Sequence, residues 1–336
     1  MKKLLSVLLS LLLVAGLASA ALSEGEAITI GVVYKQSGNP FFQAAVRGFE
    51  EAAEELGFTL LHNGPADSSN EGQIQIVEGY IAQGVDGIAI SANDRDGIVP
   101  VLQKAMDAGI VVISWDSAVA PEGRQLNIDP SVAENIGVVE VQEIARQIGY
   151  EGQIAIVSAG ATMANQNTWI EFMKKELEKE EYAKMELVDV VYGDDLPDKS
   201  YQEMEGLIKT YPDLKGVISP TTVGVAAVAN CITDNGLIGQ IKVTGLGLPS
   251  EMAQWIENGS CEAMFLWNPI DLGYCSAYAT VALVKGDMEG AIGDTFDAGR
   301  LGEQFVLDDG EGNPFSIVGD PFCFNAENIA DWKDVY

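Results

Sequence analysis

The sequence predicts an α/β protein of two doubly wound parallel-sheet lobes. Three observations lead there. Short β-rich runs alternate with longer helical runs along the chain. The β-rich runs are continuously apolar, the pattern of strands buried on both faces of a sheet. After an amino-terminal leader, about 316 residues remain, more than one core usually holds.

The leader is residues 1–20. Lys2 and Lys3 form a basic start, 4–17 is apolar, and Ala18-Ser19-Ala20 is a small-residue cleavage site. The apolar part is shorter than the roughly 20 residues a membrane span needs. The first cysteine is Cys231, so no lipid-anchor cysteine follows the apolar run. The expected product is a chain free in the periplasm, cleaved after Ala20.

Strands are expected at 28–34, 58–62, 87–91, 110–115, 153–158, 186–192, 216–219, 241–246 and 262–267. Helices are expected at 41–56, 71–83, 97–108, 132–148, 166–180, 200–211, 223–234, 250–258 and 272–285. The helical runs carry apolar residues three and four apart, as in Val46, Phe49, Ala53 and Leu56. Gly and Pro cluster at 123–130, which places a lobe boundary there, and a return crossing is expected at 267–271. The glycine-punctuated tail after 299 reads as hairpins, with a short helix at 326–332.

Composition narrows the function. Formal net charge is −31; two of the 19 basic residues lie in the leader, leaving 17 against 50 acids, near −33. Nucleic acid and anionic lipid are poor partners for such a surface. The acids are spread over helices, as in Glu50-Glu51 and Glu54-Glu55, which reads as a solvated face. Cys231, Cys261, Cys275 and Cys323 lack metal-ligand spacing and sit in apolar segments, as buried thiols or as bridges. His62 is the only histidine, so Ser-His and Cys-His dyads are out of reach. Asp116 and Asp271 are the conceivable acid pair for glycoside hydrolysis, but no sequence feature supports it. Asp94–Gly97 and 308–313 look superficially like calcium loops and read as turns. No enzyme activity, metal or cofactor is expected.

Ligand-binding residues are sought at strand ends, where open α/β sheets place their crevice. Behind the first strand stand Lys35, then Asn39-Pro40 opening a helix, then Phe41 and Phe42. Later ends carry Asp67, Ser68 and Asn70, then Asn93 and Asp94, then Asp116 and Ser117. In the second half they carry Asn165, Gln166 and Asn167, Asp194-Asp195, Pro220-Thr221-Thr222, Gly247, and Trp267-Asn268. As an inventory of amides, hydroxyls, one ligand carboxylate, one lysine and several flat aromatic faces, this suits a neutral polyol. No phosphate-binding glycine loop is present. Asn39 and Asn268, each before a proline, also read as helix caps, and Phe41 also reads as core. Asp116, where the chain leaves a buried strand, is costly without a partner.

From 28 onward the chain resembles the ribose-type periplasmic sugar-binding proteins, substrate-binding components of ABC transporters. Asn39–Phe42, Asp116 and the βα order carry that likeness. VVYKQSGNPFF, ISWDS, NQNTW, VVYGDD, SPTTVGVAA, GLGLPSEM, LWNPIDLGY and GDPFCFNAENI resemble the rhamnose-binding subgroup more closely. Autoinducer-2-binding proteins are close relatives that share the lysine, the WDS segment and the QN-x-W pattern.

The resemblance implies a type I periplasmic binding fold with a three-crossing hinge. Residues 27–126 plus about 270–300 would form the first lobe, and 127–269 plus about 301–336 the second. It implies a monomer that binds L-rhamnose or a similar deoxy-sugar and presents it to an ABC permease by hinge closure. The same closed shape could serve a chemoreceptor. Autoinducer-2 is the alternative ligand. Lys35, Asp116, Gln166 and Pro220 sit where the subgroup contacts its ligand. Asn39, Phe41, Phe42, Asn165, Thr222, Trp267 and Asn268 complete the expected set. Asn165 stands where autoinducer-2 binders carry Asp, and Thr222 where they carry Ala. Compared with ribose binders, the second lobe lacks their arginine, and Gly247 stands at their aspartate.

Overall fold

The computed structural model describes residues 27–336; the expected leader lies outside them. The first sheet is built around β1 (Thr29–Val33), β2 (Thr59–Asn63), β3 (Gly87–Ile90), β4 (Val111–Trp115) and β5 (Leu126–Asp129). They pair in parallel in the order 2-1-3-4-5, the doubly wound order with a switch point between β1 and β3. Helices α1 (Pro40–Leu56), α2 (Asn70–Gln83) and α3 (Val99–Asp107) connect them. The sheet separates two apolar clusters by simple alternation. Ile30, Val32 and Ile113 join the larger core, and Val33, Ile88, Ile90 and Val112 face Val77, Tyr80 and Leu102.

The second lobe repeats the plan. Its strands are β6 (Gly152–Ser158), β7 (Met185–Tyr192), β8 (Leu214–Ser219) and β9 (Lys242–Gly245), parallel in the order 7-6-8-9. A parallel bridge from Leu246 to Phe265 adds β10 (Ala263–Leu266), which pairs antiparallel with β15 (Phe322–Asn325). Helices α4 (Ala133–Ile148), α5 (Ala164–Leu177), α6 (Pro197–Thr210), α7 (Thr222–Asp234) and α8 (Pro249–Glu257) flank the sheet. Helix α9 (Pro269–Lys285) returns to the first lobe, and the short α10 (Ile329–Trp332) ends the chain in the second. This is the type I periplasmic binding fold.

Three crossings join the lobes: after β5 at Pro130, at Asn268 between β10 and α9, and at 318–321 before β15. Two of them are hydrogen-bonded to each other, Val318 N–H to the Asp129 carbonyl at 3.0 Å and Gly319 N–H to the Pro130 carbonyl at 3.1 Å.

The lobe boundaries differ from expectation in two places. β5 belongs to the first sheet, although 127 was the expected start of the second lobe and no strand was expected there. Four residues between Gly/Pro-rich turns carry little strand signal. The tail also divides differently. The hairpin of β11 (Thr295–Asp297) and β12 (Glu303–Phe305) and strands β13 (Leu307–Asp308) and β14 (Pro314–Ile317) stay with the first lobe. β14 pairs in parallel with β5 and extends that sheet, so the expected 301–336 segment enters the second lobe only after the third crossing. The hydrophobic pattern of such short pairs does not say which sheet edge they extend.

The turn readings of the acidic loops agree with the geometry. The Asp94 carboxylate accepts from the backbone of Asp96 and Gly97, and Asp308 and Asp309 accept from the 310–313 backbone. All four cysteines are free thiols; burial pushes Cys231 up to about 11 and Cys261 and Cys275 up to about 12.

Helix α1 lies directly on α9, and glycine permits it. A methyl group on Gly273 would strike the carbonyl of Ala45, and one on Gly48 the carbonyl of Ile270. Gly273→Ala should therefore destabilise the chain by about 1–3 kcal/mol, read as a lower urea midpoint. An unchanged midpoint would show that the helices can separate at no cost.

Glu140 is the odd residue of the second core. It is fully buried on α4 beside Ile136, Val141 and Ile144, and neither carboxylate oxygen has a partner among the described residues. Burial pushes its carboxyl well above the ordinary 4.5. The folded chain then keeps a proton that the unfolded chain releases as pH rises through about 4.5, so stability falls as pH climbs above that value. Glu140→Gln should flatten this decline between pH 5 and 8, a slope of up to ~1.4 kcal/mol per pH unit. Equal slopes in wild type and variant would refute it.

Candidate functional site

Because both sheets point their strand carboxyl ends at the gap between the lobes, the strand-end residues meet there. They line a small cavity between the lobes. The first lobe contributes Lys35, Asn39, Phe41, Phe42 and Asp116. The second contributes Asn165, Gln166, Pro220 and Thr222, with Trp267 at the crossing. Ten of the eleven expected residues thus share one cavity.

Asn268 is the exception. Its Oδ1 accepts from Ile270 N–H at 3.0 Å and its amide donates to Asp271 at 2.8 Å, so it caps α9 and does not line the cavity. Asn39 caps α1 in the same way, accepting from Phe41 N–H at 2.9 Å, yet it also faces the cavity. Its Oδ1 accepts a longer bond, 3.4 Å, from the Thr222 hydroxyl across the gap.

The polar centre is Lys35, only 2% exposed. Its ammonium donates to Asn165 Oδ1 of the other lobe at 3.1 Å and lies 3.6 Å from Asp116 Oδ2 of its own. Asp116 sits directly beyond β4 with φ +60°, the left-handed region that non-glycine residues rarely adopt. Ser91 donates to its carboxylate at 2.7 Å, and its own N–H is held by the Ile128 carbonyl at 3.1 Å. Gln166 Oε1 is occupied by Ser158 Oγ and Ala159 N–H, both at 3.0 Å, which orients its amide nitrogen as the remaining free group.

Aromatic rings form the apolar wall and run across the lobes. Phe42 meets Phe41 edge-on at 5.2 Å, Phe41 meets Trp267 at 6.1 Å, and Trp267 meets Trp169 at 5.7 Å between centroids. The Trp267 indole N–H is buried without a partner among the described residues.

The cavity also holds Trp169, Asp195, Thr221, Leu246 and Leu266, which were not among the expected ligand residues. Trp169 follows Gln166 by three residues on α5 and so shares its helix face, a signal available in the spacing. Asp195 and Thr221 stand in the strand-end segments the sequence marks, but nothing there separates lining residues from turn residues. Leu246 and Leu266 end buried strands and look like core. Burial raises the Asp195 carboxyl above its ordinary range, while the Thr221 hydrogen bond and the Lys35 charge pull it back. Asp116 and Asp194 push it further up.

Comparison with known proteins agrees with this architecture. The family model described as a periplasmic binding protein domain matches residues 30–288. A solved ABC transporter solute-binding protein from Clostridium phytofermentas with bound L-rhamnose is 38% identical, with TM-score 0.90 over 93% of this chain and all of its own. A D-ribose/D-allose-binding protein of Pseudomonas aeruginosa is 27% identical over 64% of this chain and 69% of its own length. LsrB from Clostridium saccharobutylicum in complex with AI-2 shares the fold, with TM-score 0.86 at 22% identity over 91% of this chain and 99% of its own.

Proposed function

The chain belongs to the periplasmic binding protein family, among the sugar-binding components of ABC transporters, and from that premise we propose that its ligand is L-rhamnose or a similar neutral deoxy-sugar. The observation that carries the reading is the divided cavity. Lys35 and Asp116 come from one lobe, Asn165 and Gln166 from the other, and aromatic and aliphatic side chains close the space around them. A polyol satisfies such a set because each hydroxyl both donates and accepts. Lys35 and Gln166 offer donors, and Asp116 accepts. Phe41, Leu246, Leu266 and Trp267 give the C–H face and the methyl of a deoxy-sugar an apolar wall. The rhamnose-bound relative at 38% identity supports the same ligand.

Binding and closure are one event in this reading. The open gap hydrates each polar set separately, and the ligand joins them only when the lobes meet. The closed form then docks on a membrane permease and releases the sugar to it. The chain works outside the cytoplasm, as its periplasmic relatives do, and moves its ligand without transforming it.

Calorimetry of the purified protein with L-rhamnose tests this. One-to-one heat is expected, with binding weakened at least about a hundredfold by Asp116→Ala, since a buried charged partner is lost. Heat with autoinducer-2 and none with rhamnose would reassign the ligand to the signal molecule. Silence with both would sink the ligand assignment.

A further inference from the structure

We infer that Asp195 is a second ligand carboxylate, the second-lobe counterpart of Asp116, and that it sets specificity by accepting hydroxyls that Asp116 does not reach. The inference rests on the sugar-binding reading above.

Four observations place Asp195 in this role. Asp195 borders the same cavity as Lys35 and Asp116 and is only 4% exposed. Its backbone is left-handed, φ +52°, as that of Asp116 is at φ +60°. Among the described residues only Ser68, Asp116, Tyr150, Asp194 and Asp195 are non-glycine residues in this region. Two of those five face the cavity, one from each lobe and each just past a strand end. Strain of this kind persists where the surroundings impose it, commonly at ligand sites.

The carboxylate is also aimed. One oxygen accepts from the Thr221 hydroxyl, so Thr221 spends its side chain on Asp195 and not on capping α7. The other oxygen takes no hydrogen bond from the described residues, yet it is not among the sealed, unpartnered polar atoms of the interior. An oriented acceptor with one oxygen open beside a cavity is what a ligand hydroxyl requires. Asn165, which donates no negative charge, stands nearby on the same lobe and is occupied by Lys35. Asp195 is therefore the carboxylate that the second lobe brings to the cavity.

The test pairs variants with ligand hydroxyls. L-rhamnose and its 2-, 3- and 4-deoxy analogues are titrated calorimetrically into wild type, Asp195→Asn and Asp116→Asn. Asp195→Asn should weaken rhamnose binding by about ten- to a hundredfold. That loss should vanish for the analogue missing the hydroxyl Asp195 accepts, and the loss from Asp116→Asn should vanish for a different analogue. A loss from Asp195→Asn that is equal for every analogue would reduce Asp195 to a structural prop and overturn the inference, while leaving sugar binding intact. Wild type that takes up none of these sugars would overturn the underlying reading as well. If Asp195→Asn does not fold, Thr221→Val carries the test, because it frees the carboxylate without removing it. It should give a smaller loss with the same dependence on the analogue, and a uniform loss overturns the inference.

Discussion

A buried ammonium cannot stand alone, and Lys35 organises the molecule around that constraint. Taking a lysine charge out of water costs several kcal/mol unless opposite charge and hydrogen bonds replace the solvent. Here the replacement comes from two directions: Asp116 in the same lobe at 3.6 Å and Asn165 in the other at 3.1 Å. The first contact is intrinsic to one lobe and persists whatever the hinge does. The second exists only when the lobes meet. One side chain thus ties the two lobes together at the centre of the cavity.

The scaffold keeps the meeting of the lobes reproducible. Two hinge crossings share backbone hydrogen bonds at Asp129–Val318 and Pro130–Gly319, which tie them side by side. The close contact of α1 and α9 fixes the start of α1, and therefore Asn39, Phe41 and Phe42, against the crossing at Asn268. The chain of rings from Phe42 through Phe41 and Trp267 to Trp169 crosses from one lobe to the other on top of that frame. Thr162 adds a bond from the second lobe to the Asn93 carbonyl of the first, at 3.2 Å. Each contact is weak alone.

The strand ends were legible in the sequence because the chemistry changes abruptly there: VVISW gives way to Asp116, and VVYGDD and ISPTT do the same in the second lobe. Such an edge between buried strand and polar turn needs no alignment to see. The switch-point rule then puts those edges in one place. What the sequence hid was of three kinds. Leu246 and Leu266 differ from core residues only in what lies beyond them, which the chain order does not record. Asn268 and Asn39 share the same Asn-Pro context, and only geometry separates a cap that faces the cavity from one that faces Asp271. β5 and β14 escaped for a third reason: their short runs, LNID and PFSI, mix polar with apolar residues and do not fix a sheet edge, so 301–317 differs from the expected lobe while 322–336 agrees with it.

Charge at the centre argues for the kind of ligand. Lys35 carries one positive charge, and Asp116 and Asp195 each carry a carboxyl into the same closed space, with no arginine among the residues around them. An anionic ligand entering this cavity would meet more acceptors than donors and would lose its hydration without compensation. A cationic ligand would have to displace Lys35 from its place between Asp116 and Asn165. A neutral polyol avoids both costs, since a hydroxyl both donates to carboxylates and accepts from ammonium and amide groups. Asn165 matters to that balance. A third carboxylate at this position would leave Lys35 outnumbered further, whereas an amide lets the lysine bond across the hinge without adding charge to the cavity.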